Sequence, residues 1–388
     1  MSNSIKIKLF FPNYFSFFIN GAMVLLVGAI LPYLREEANL SYTISGSLLS
    51  IFAVGNFLAS FVNPGLTKLI GRKCSIITTA ILQPVSLIGI SMLPPVPILL
   101  LLFLTLGISR GCYSIINNAY INEKGDGSAA SLNILHMVFA IGAFLAPTLL
   151  SIYINLNLTW RDIIYTITVG SVLSILFLCK LDLSGTPKTK TDDSKSILPE
   201  QKRFWTMPIF YVSGFILFFY LGLENCVNGW FVSYLKNTGV MSQTYANELV
   251  SLTWLAVLVG RLTTAVLSTK IKQKWIILAD CIATAIFFIL LVSTKNLVVI
   301  TIAIIGLGFF FAGIYPTGVS NAAVAIKGSD FGTSMFLAIS ALGGIITPQI
   351  VGKVADHIGL TGAISTLLIN VVAMIALSLI NVRLNKNK

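Results

Sequence analysis

Apolar runs of roughly twenty residues alternate with short polar connectors along nearly the whole 388-residue chain. A run of that length is what a helix needs to cross the hydrocarbon core of a bilayer, which is about 30 Å thick. Twelve runs are legible, at 13–34, 42–63, 74–93, 97–122, 130–154, 161–182, 205–235, 246–268, 275–293, 297–325, 331–352 and 359–382. They lack the alternation of a barrel strand, and an open sheet would leave backbone groups unpaired in lipid, so all twelve are predicted to be helices. The expected fold class is an all-α membrane protein with twelve transmembrane helices.

The pattern also repeats. Gly21, Gly28, Tyr33 and Leu34 return 201 residues later as Gly222, Gly229, Tyr234 and Leu235. The same offset carries Gly107 to Gly308, Gly127-Ser128 to Gly328-Ser329, Gly142 to Gly343 and Pro147 to Pro348. One offset that holds over the first, fourth and fifth spans together points to duplication. It divides the chain into a six-helix half at 1–182, a linker at 183–204 and a second six-helix half at 205–388. The linker is polar, rich in lysine and bounded by Pro187 and Pro199. Parallel six-helix halves place a solute site at the midplane between them and transport by rocking one half against the other.

Composition agrees: hydrophobic residues are 56% and charged residues 10% of the chain, and the mean hydropathy is +0.88. That is too apolar for a water-soluble domain. The net charge of +12 raises nucleic acid as a partner, but the 26 Lys and Arg sort by membrane side. Nineteen fall on the side of the termini and the linker, five on the other, and Arg110 and Arg261 inside spans. The positive-inside rule then makes both termini and the linker cytoplasmic in a multi-pass protein of the cell membrane. No secretory signal is expected, because Lys6 and Lys8 lead into a long span with no small-residue cleavage site after it. Cys74, Cys112, Cys179, Cys226 and Cys281 form no CxxC pair, so neither a disulfide framework nor a zinc site is supported.

Two six-helix halves, cytoplasmic termini and a long middle loop resemble the major facilitator superfamily. After the second span, Pro64-Gly65-Leu66-Thr67-Lys68-Leu69-Ile70-Gly71-Arg72-Lys73 is similar to the family signature G-x-L-x-D-R-x-G-R-K. It keeps Leu66, Gly71, Arg72 and Lys73; Lys68 stands where an Asp helps form a charge lock in relatives. Trp160-Arg161 resembles a pair common before the sixth span. Gly222-Leu223-Glu224, Trp230, Tyr234-Leu235, Trp254 and Gly260-Arg261 look like spans 7 and 8 of the fucose permease-like sugar:proton symporters, and Asn118 fits an Asn of their fourth span. That branch carries proton-binding acids in spans 1 and 4; here span 1 has none and the span 4 position falls at Ser114. The resemblance implies a cavity lined by spans 1, 4, 7 and 10, substrate contacts from Ser114, Asn118, Trp230 and Trp254, and gating by Arg72 and Lys73.

The residues themselves supply the candidate chemistry. Glu224 lies eleven residues from the end of its span, about 16 Å along the helix and so near the midplane. A carboxylate there is costly unless paired, protonated or wetted. Tyr220, Glu224, Asn228 and Phe231 share one helical stripe that suits a small polar solute. A structural ion pair is the other reading. Arg110 is similarly deep, with Tyr113, Ser114 and Asn117 on its face, and must meet water, an acid or an anionic substrate group; pairing with Glu224 across the halves is one option. Arg261, about 10 Å from its span's end, is a gate candidate. His136 and Asp280 read as packing residues.

These features predict a secondary transporter that takes up a small polar solute, a sugar, by proton symport and alternating access. Glu224 is the expected proton carrier. The expected substrate ligands are Arg110, Ser114, Asn117, Asn118, Tyr220, Glu224, Asn228, Trp230, Trp254 and Tyr315, with Arg72, Lys73 and Arg261 as gates. A monomer in the lipid bilayer is expected, with no cofactor, metal or nucleic acid. The rival transporter is a proton-coupled exporter of amphipathic drugs or organic anions, suggested by Tyr220, Trp230, Phe311, Tyr315 and Arg110. A membrane enzyme would need a nucleophile and base facing one cavity, and His136 and His357 stand beside neither a Cys nor an acid cluster. A P-loop glycine is lacking before Gly71-Arg72-Lys73, so ATP-driven transport is not expected.

Overall fold

The computed structural model describes residues 3–124, 129–181, 204–326 and 329–384. Most of the predicted linker, Gly127-Ser128 and Gly328 lie outside the described residues. The described chain forms helices α1 (Asn3–Glu37), α2 (Tyr42–Ile70), α3 (Arg72–Ser91), α4 (Val96–Lys124), α5 (Ala129–Asn155) and α6 (Trp160–Cys179). After a short turn at Phe204–Thr206 come α7 (Pro208–Asn237), α8 (Gln243–Leu267), α9 (Gln273–Val292), α10 (Leu297–Ile326), α11 (Asp330–Ser365) and α12 (Leu368–Leu384). Eleven of these are long and apolar enough to cross a membrane, and α12 is a shorter apolar helix.

The ends of the helices show why the chain breaks where it does. Ser41 caps α2 by accepting the Ile44 N–H, and Ser242, 201 residues on, caps α8 by accepting the Tyr245 N–H. The carboxylate of Asp162 accepts the Thr159 N–H at 2.7 Å and so begins α6. Helix α2 runs through Pro64 to Ile70, seven residues beyond the predicted span, because one missing N–H does not end a helix that has left the hydrocarbon. The chain turns instead at Gly71, with φ 79° and ψ 160°, where a side chain would be strained. Gly359 repeats that geometry, φ 76° and ψ 160°, and breaks α11 into a long arm and a short one leading to α12.

The packing repeats as the letters do. Helix α1 packs on α5 and α6, α2 on α4, and α3 on α4 and α6; α7 packs likewise on α11 and α12, α8 on α10, and α9 on α10 and α12. Glycines set the closest approaches. A Cβ on Gly107 of α4 would run into the Phe52 carbonyl of α2, and one on Gly308 of α10 into the Thr253 carbonyl of α8. Both the glycines and the carbonyls they meet stand 201 residues apart. Small residues at such crossings let backbones approach where lipid offers helices no hydrophobic drive to associate.

The first six and last six helices meet through α2 with α11, α5 with α8 and α1 with α7. Their polar contacts gather on the face away from the termini. There the Asp356 carboxylate of α11 accepts the Tyr42 and Thr43 N–H groups at the start of α2, at 2.9 Å each. Lys236 pairs with Glu36, Asn237 Nδ2 donates to the Tyr42 hydroxyl at 2.8 Å, and Ser151 Oγ donates to the Thr244 carbonyl at 2.9 Å. Gly46 and Gly352 bring α2 and α11 into backbone contact. Trp160-Arg161 belongs to this same face. Trp160 Nε1 donates to Glu37 at 2.9 Å, Arg161 makes a two-pronged pair with Glu37 at 2.6 and 3.0 Å, and Arg161 Nε holds the Ser91 carbonyl at 2.8 Å. The pair thus ties α6 to the ends of α1 and α3.

A central cavity as the candidate solute site

Closure on one face leaves a cavity between the two sets of helices, of about 510 Å³. It reaches from Val24 and Asn228 near the middle of the bundle to Ser60, Phe61 and Ser334 toward the face that carries the termini. Helices α1, α2, α4 and α5 contribute to one wall, and α7, α8, α10 and α11 to the other.

Arg110 and Glu224 both stand mid-helix, fourteen residues from either end of α4 and sixteen after the start of α7. Both line the cavity, as do Ser114, Tyr220, Asn228, Trp254, Arg261 and Tyr315. The Tyr220 hydroxyl, one turn before Glu224, donates to Glu224 Oε1 at 2.8 Å. That is the helical spacing at which two side chains meet. Behind it, the Tyr220 ring meets Phe311 of α10 edge-on at 5.6 Å, which fixes the hydroxyl's position. Arg261 and Arg110 share the cavity with Glu224, yet neither forms an ion pair with it within 4.0 Å among the described residues. The Arg110 guanidinium lies 5.6 Å from the centre of the Phe52 ring. Trp254 meets Phe139 of α5 at 6.0 Å and closes the cavity's side wall.

Several expected ligands lie elsewhere. Asn117 is buried, accepting from Asn13 Nδ2 at 3.0 Å and Ser16 Oγ at 2.9 Å and donating to the Tyr113 carbonyl at 2.8 Å, so it stitches α1 to α4. Asn118 bonds back to the Ser114 carbonyl at 2.8 Å and is not on the cavity wall. Trp230 is fully buried and donates to the Pro348 carbonyl at 3.3 Å. Phe231 and Tyr113 are likewise buried, so the stripe through Glu224 reaches the cavity only over Tyr220, Glu224 and Asn228. One helical face is wider than the part of it a cavity sees. Arg72 pairs with Glu123 at 2.7 Å, joining α3 to α4 within the first six helices, and Lys73 and Lys68 are exposed.

The cavity also holds residues that the sequence did not single out for it. Asn20, Asn56 and Asn225 line it, and so does His136, packed edge-on against Phe17 at 5.6 Å. An amide in an apolar run reads the same whether it packs or binds; only the proximity of Asn225 to Glu224 was a signal. Asp280 lies off the cavity, buried in α9 against Gly313 of α10.

Comparison with known proteins agrees with this architecture. The Major Facilitator Superfamily model matches residues 14–348. A Protein TsgA homolog of Yersinia enterocolitica serotype O:8 / biotype 1B is 23% identical over 371 residues, 94% of this chain and 93% of the relative. The crystal structure of nucleoside transporter NupG superposes with a TM-score of 0.77 at 16% identity, covering 100% of both chains. That of a D-xylose-proton symporter gives 0.77 at 14% identity, covering 98% of this chain and 97% of the other. The chain is a multi-pass membrane protein of a fold used for transport rather than catalysis, and it belongs to the Major Facilitator Superfamily.

Proposed function

We propose that this protein takes up a small polar solute of the sugar kind by proton symport, with residues 1–182 and 205–388 as the two halves that rock about the cavity. The observation that carries the reading is the mid-helix carboxylate of Glu224, held by Tyr220 on the wall of a cavity between the halves. A carboxylate there changes its hydration and its partners as the cavity opens to one side or the other, which is what binding and releasing a proton requires. With the termini and linker cytoplasmic, as the lysine and arginine bias supports, the cavity faces the cytoplasm and the contacts around Asp356 seal the outer face. Ser114, Tyr220, Asn228 and Tyr315 supply hydroxyl and amide partners for a hydroxylated solute, and Trp254 an apolar wall. Arg261 works as a gate from the cavity wall, and the protein acts as a monomer.

The test is accumulation in proteoliposomes. A labelled solute should accumulate under an inward proton gradient with the native protein, and Glu224→Gln should retain exchange at equal gradients while losing that accumulation. Undiminished proton-driven accumulation by the variant would remove Glu224 from this role. The rival reading, export of an organic anion, draws support from Arg110 and Arg261 in the same cavity and is separated by the direction of net transport.

A further inference from the structure

The cavity wall holds more positive than negative charge. Among the described residues, Arg110 from α4 and Arg261 from α8 stand against one carboxylate, that of Glu224. The other titratable groups that the described residues place on the wall are His136 of α5, Tyr220 of α7 and Tyr315 of α10, and none of those described comes from α1, α2, α11 or α12. Neither arginine has a carboxylate within 4.0 Å among the described residues. A guanidinium keeps its proton, and one left unpaired at membrane depth is costly. Beside the cations stand Asn20, Asn56, Asn225 and Asn228. Asn20 is 1% exposed and its Oδ1 has no hydrogen-bond partner. Amides of this kind both donate to and accept from hydroxyl groups.

We infer that the solute is a hydroxylated organic anion of the sugar-acid class, its carboxylate engaged by Arg110 and Arg261 and its hydroxyls by the asparagines. The inference rests on the cavity being the solute site, and it names the class that site takes. A planar fork of donors matches a carboxylate in a way that a neutral sugar does not exploit. The same charges set the sign of coupling. The two arginines and Glu224 sum to +1 with Glu224 ionised and to +2 with it protonated. A proton on Glu224 therefore tightens anion binding, and by reciprocity the anion tightens proton binding. Symport follows from that cooperativity.

Equilibrium binding to the purified full-length protein tests this, with D-glucuronate against D-glucose and D-gluconate against D-glucitol as matched pairs. At least one acid should bind about tenfold or more tightly than its neutral partner, the difference that one charge-assisted pair supplies. That binding should be tighter at acidic than at neutral pH, and the pH dependence should be lost in Glu224→Gln. Replacing either arginine, Arg110→Gln or Arg261→Gln, should lower the acid's advantage below about threefold, with Arg110→Lys intermediate and size-exclusion profiles confirming folded protein. Neutral members binding as tightly as the acids, no acid binding at all, or a preference that survives either glutamine substitution would overturn the inference. Proton-driven uptake of a neutral sugar would overturn it while leaving the proposed function standing. Acid binding without proton-driven uptake would do the reverse.

Discussion

Arg110 and Glu224 share one cavity without touching, and this separation shapes what each substitution should do. If Arg110 existed to neutralise Glu224, removing both charges would restore transport. If the two engage different ligands, an anion and a proton as proposed, it should not. Arg110→Ala is expected to lower solute counterflow by about tenfold or more, the loss that follows from one charge-assisted contact. Arg110→Ala with Glu224→Gln should recover none of it. Recovery of counterflow in the double variant would mark a structural ion pair instead. Tyr220 gives a finer probe: Tyr220→Phe keeps the ring against Phe311 and removes only the hydroxyl that holds Glu224 Oε1. The expected outcome is intact folding with a shifted pH profile of proton-driven uptake.

Between elements, the repeated glycines do the structural work. Gly107 and Gly308 sit where a Cβ would enter a backbone carbonyl of the neighbouring helix, so the neighbour cannot give by turning a side chain. Gly107→Val and Gly308→Val should each destabilise by at least about 1–3 kcal/mol, the range for overpacking, read as a lower unfolding temperature in detergent. Gly65 of α2 meets nothing within 4 Å, and Gly65→Ala should be neutral or stabilise by up to about 1 kcal/mol through the lost flexibility of glycine. Equal effects at Gly65 and Gly107 would show that helix propensity, rather than the α2 and α4 crossing, sets the response.

Across the whole molecule, the side on which the halves touch decides which way the cavity faces. Asp356 places a carboxylate on the N-terminus of α2, where the two N–H groups it accepts have no partner inside the helix. Such a contact at a helix start is worth about 0.3–1 kcal/mol. Asp356→Ala should therefore shift the population toward the oppositely facing state by about two- to fivefold. Thiol labelling of a Cys at Ser60, on the cavity wall, in a Cys74→Ser background would fall accordingly. No change in labelling would mean that the neighbouring glycine contacts close this face unaided. A Cys at Ser194 in the linker should react only from the cytoplasmic side, as the lysine and arginine bias requires. Reaction from outside would invert the orientation of the cavity as well.

Twelve apolar runs and a 201-residue repeat were enough to establish twelve helices in two matched sets, because lipid demands helices of one length and duplication copies the glycines at which those helices cross. Span ends were less legible: α2 and α11 run on past the apolar segment, since helices do not stop at the edge of the hydrocarbon. Charges at membrane depth were legible too. Arg110, Glu224 and Arg261 stood out as residues that lipid does not tolerate without a reason, and all three face the cavity. Polar but uncharged residues were not. Asn117 and Trp230 turned inward to pack while Asn20, Asn56 and Asn225 turned to the cavity, because burying an amide or an indole costs little once it is hydrogen-bonded, and the partners that decide this lie on other helices. His136 is of the same kind. Its place on the wall was decided when α5 came to rest against α1 and α8, a choice that no run of letters within α5 contains.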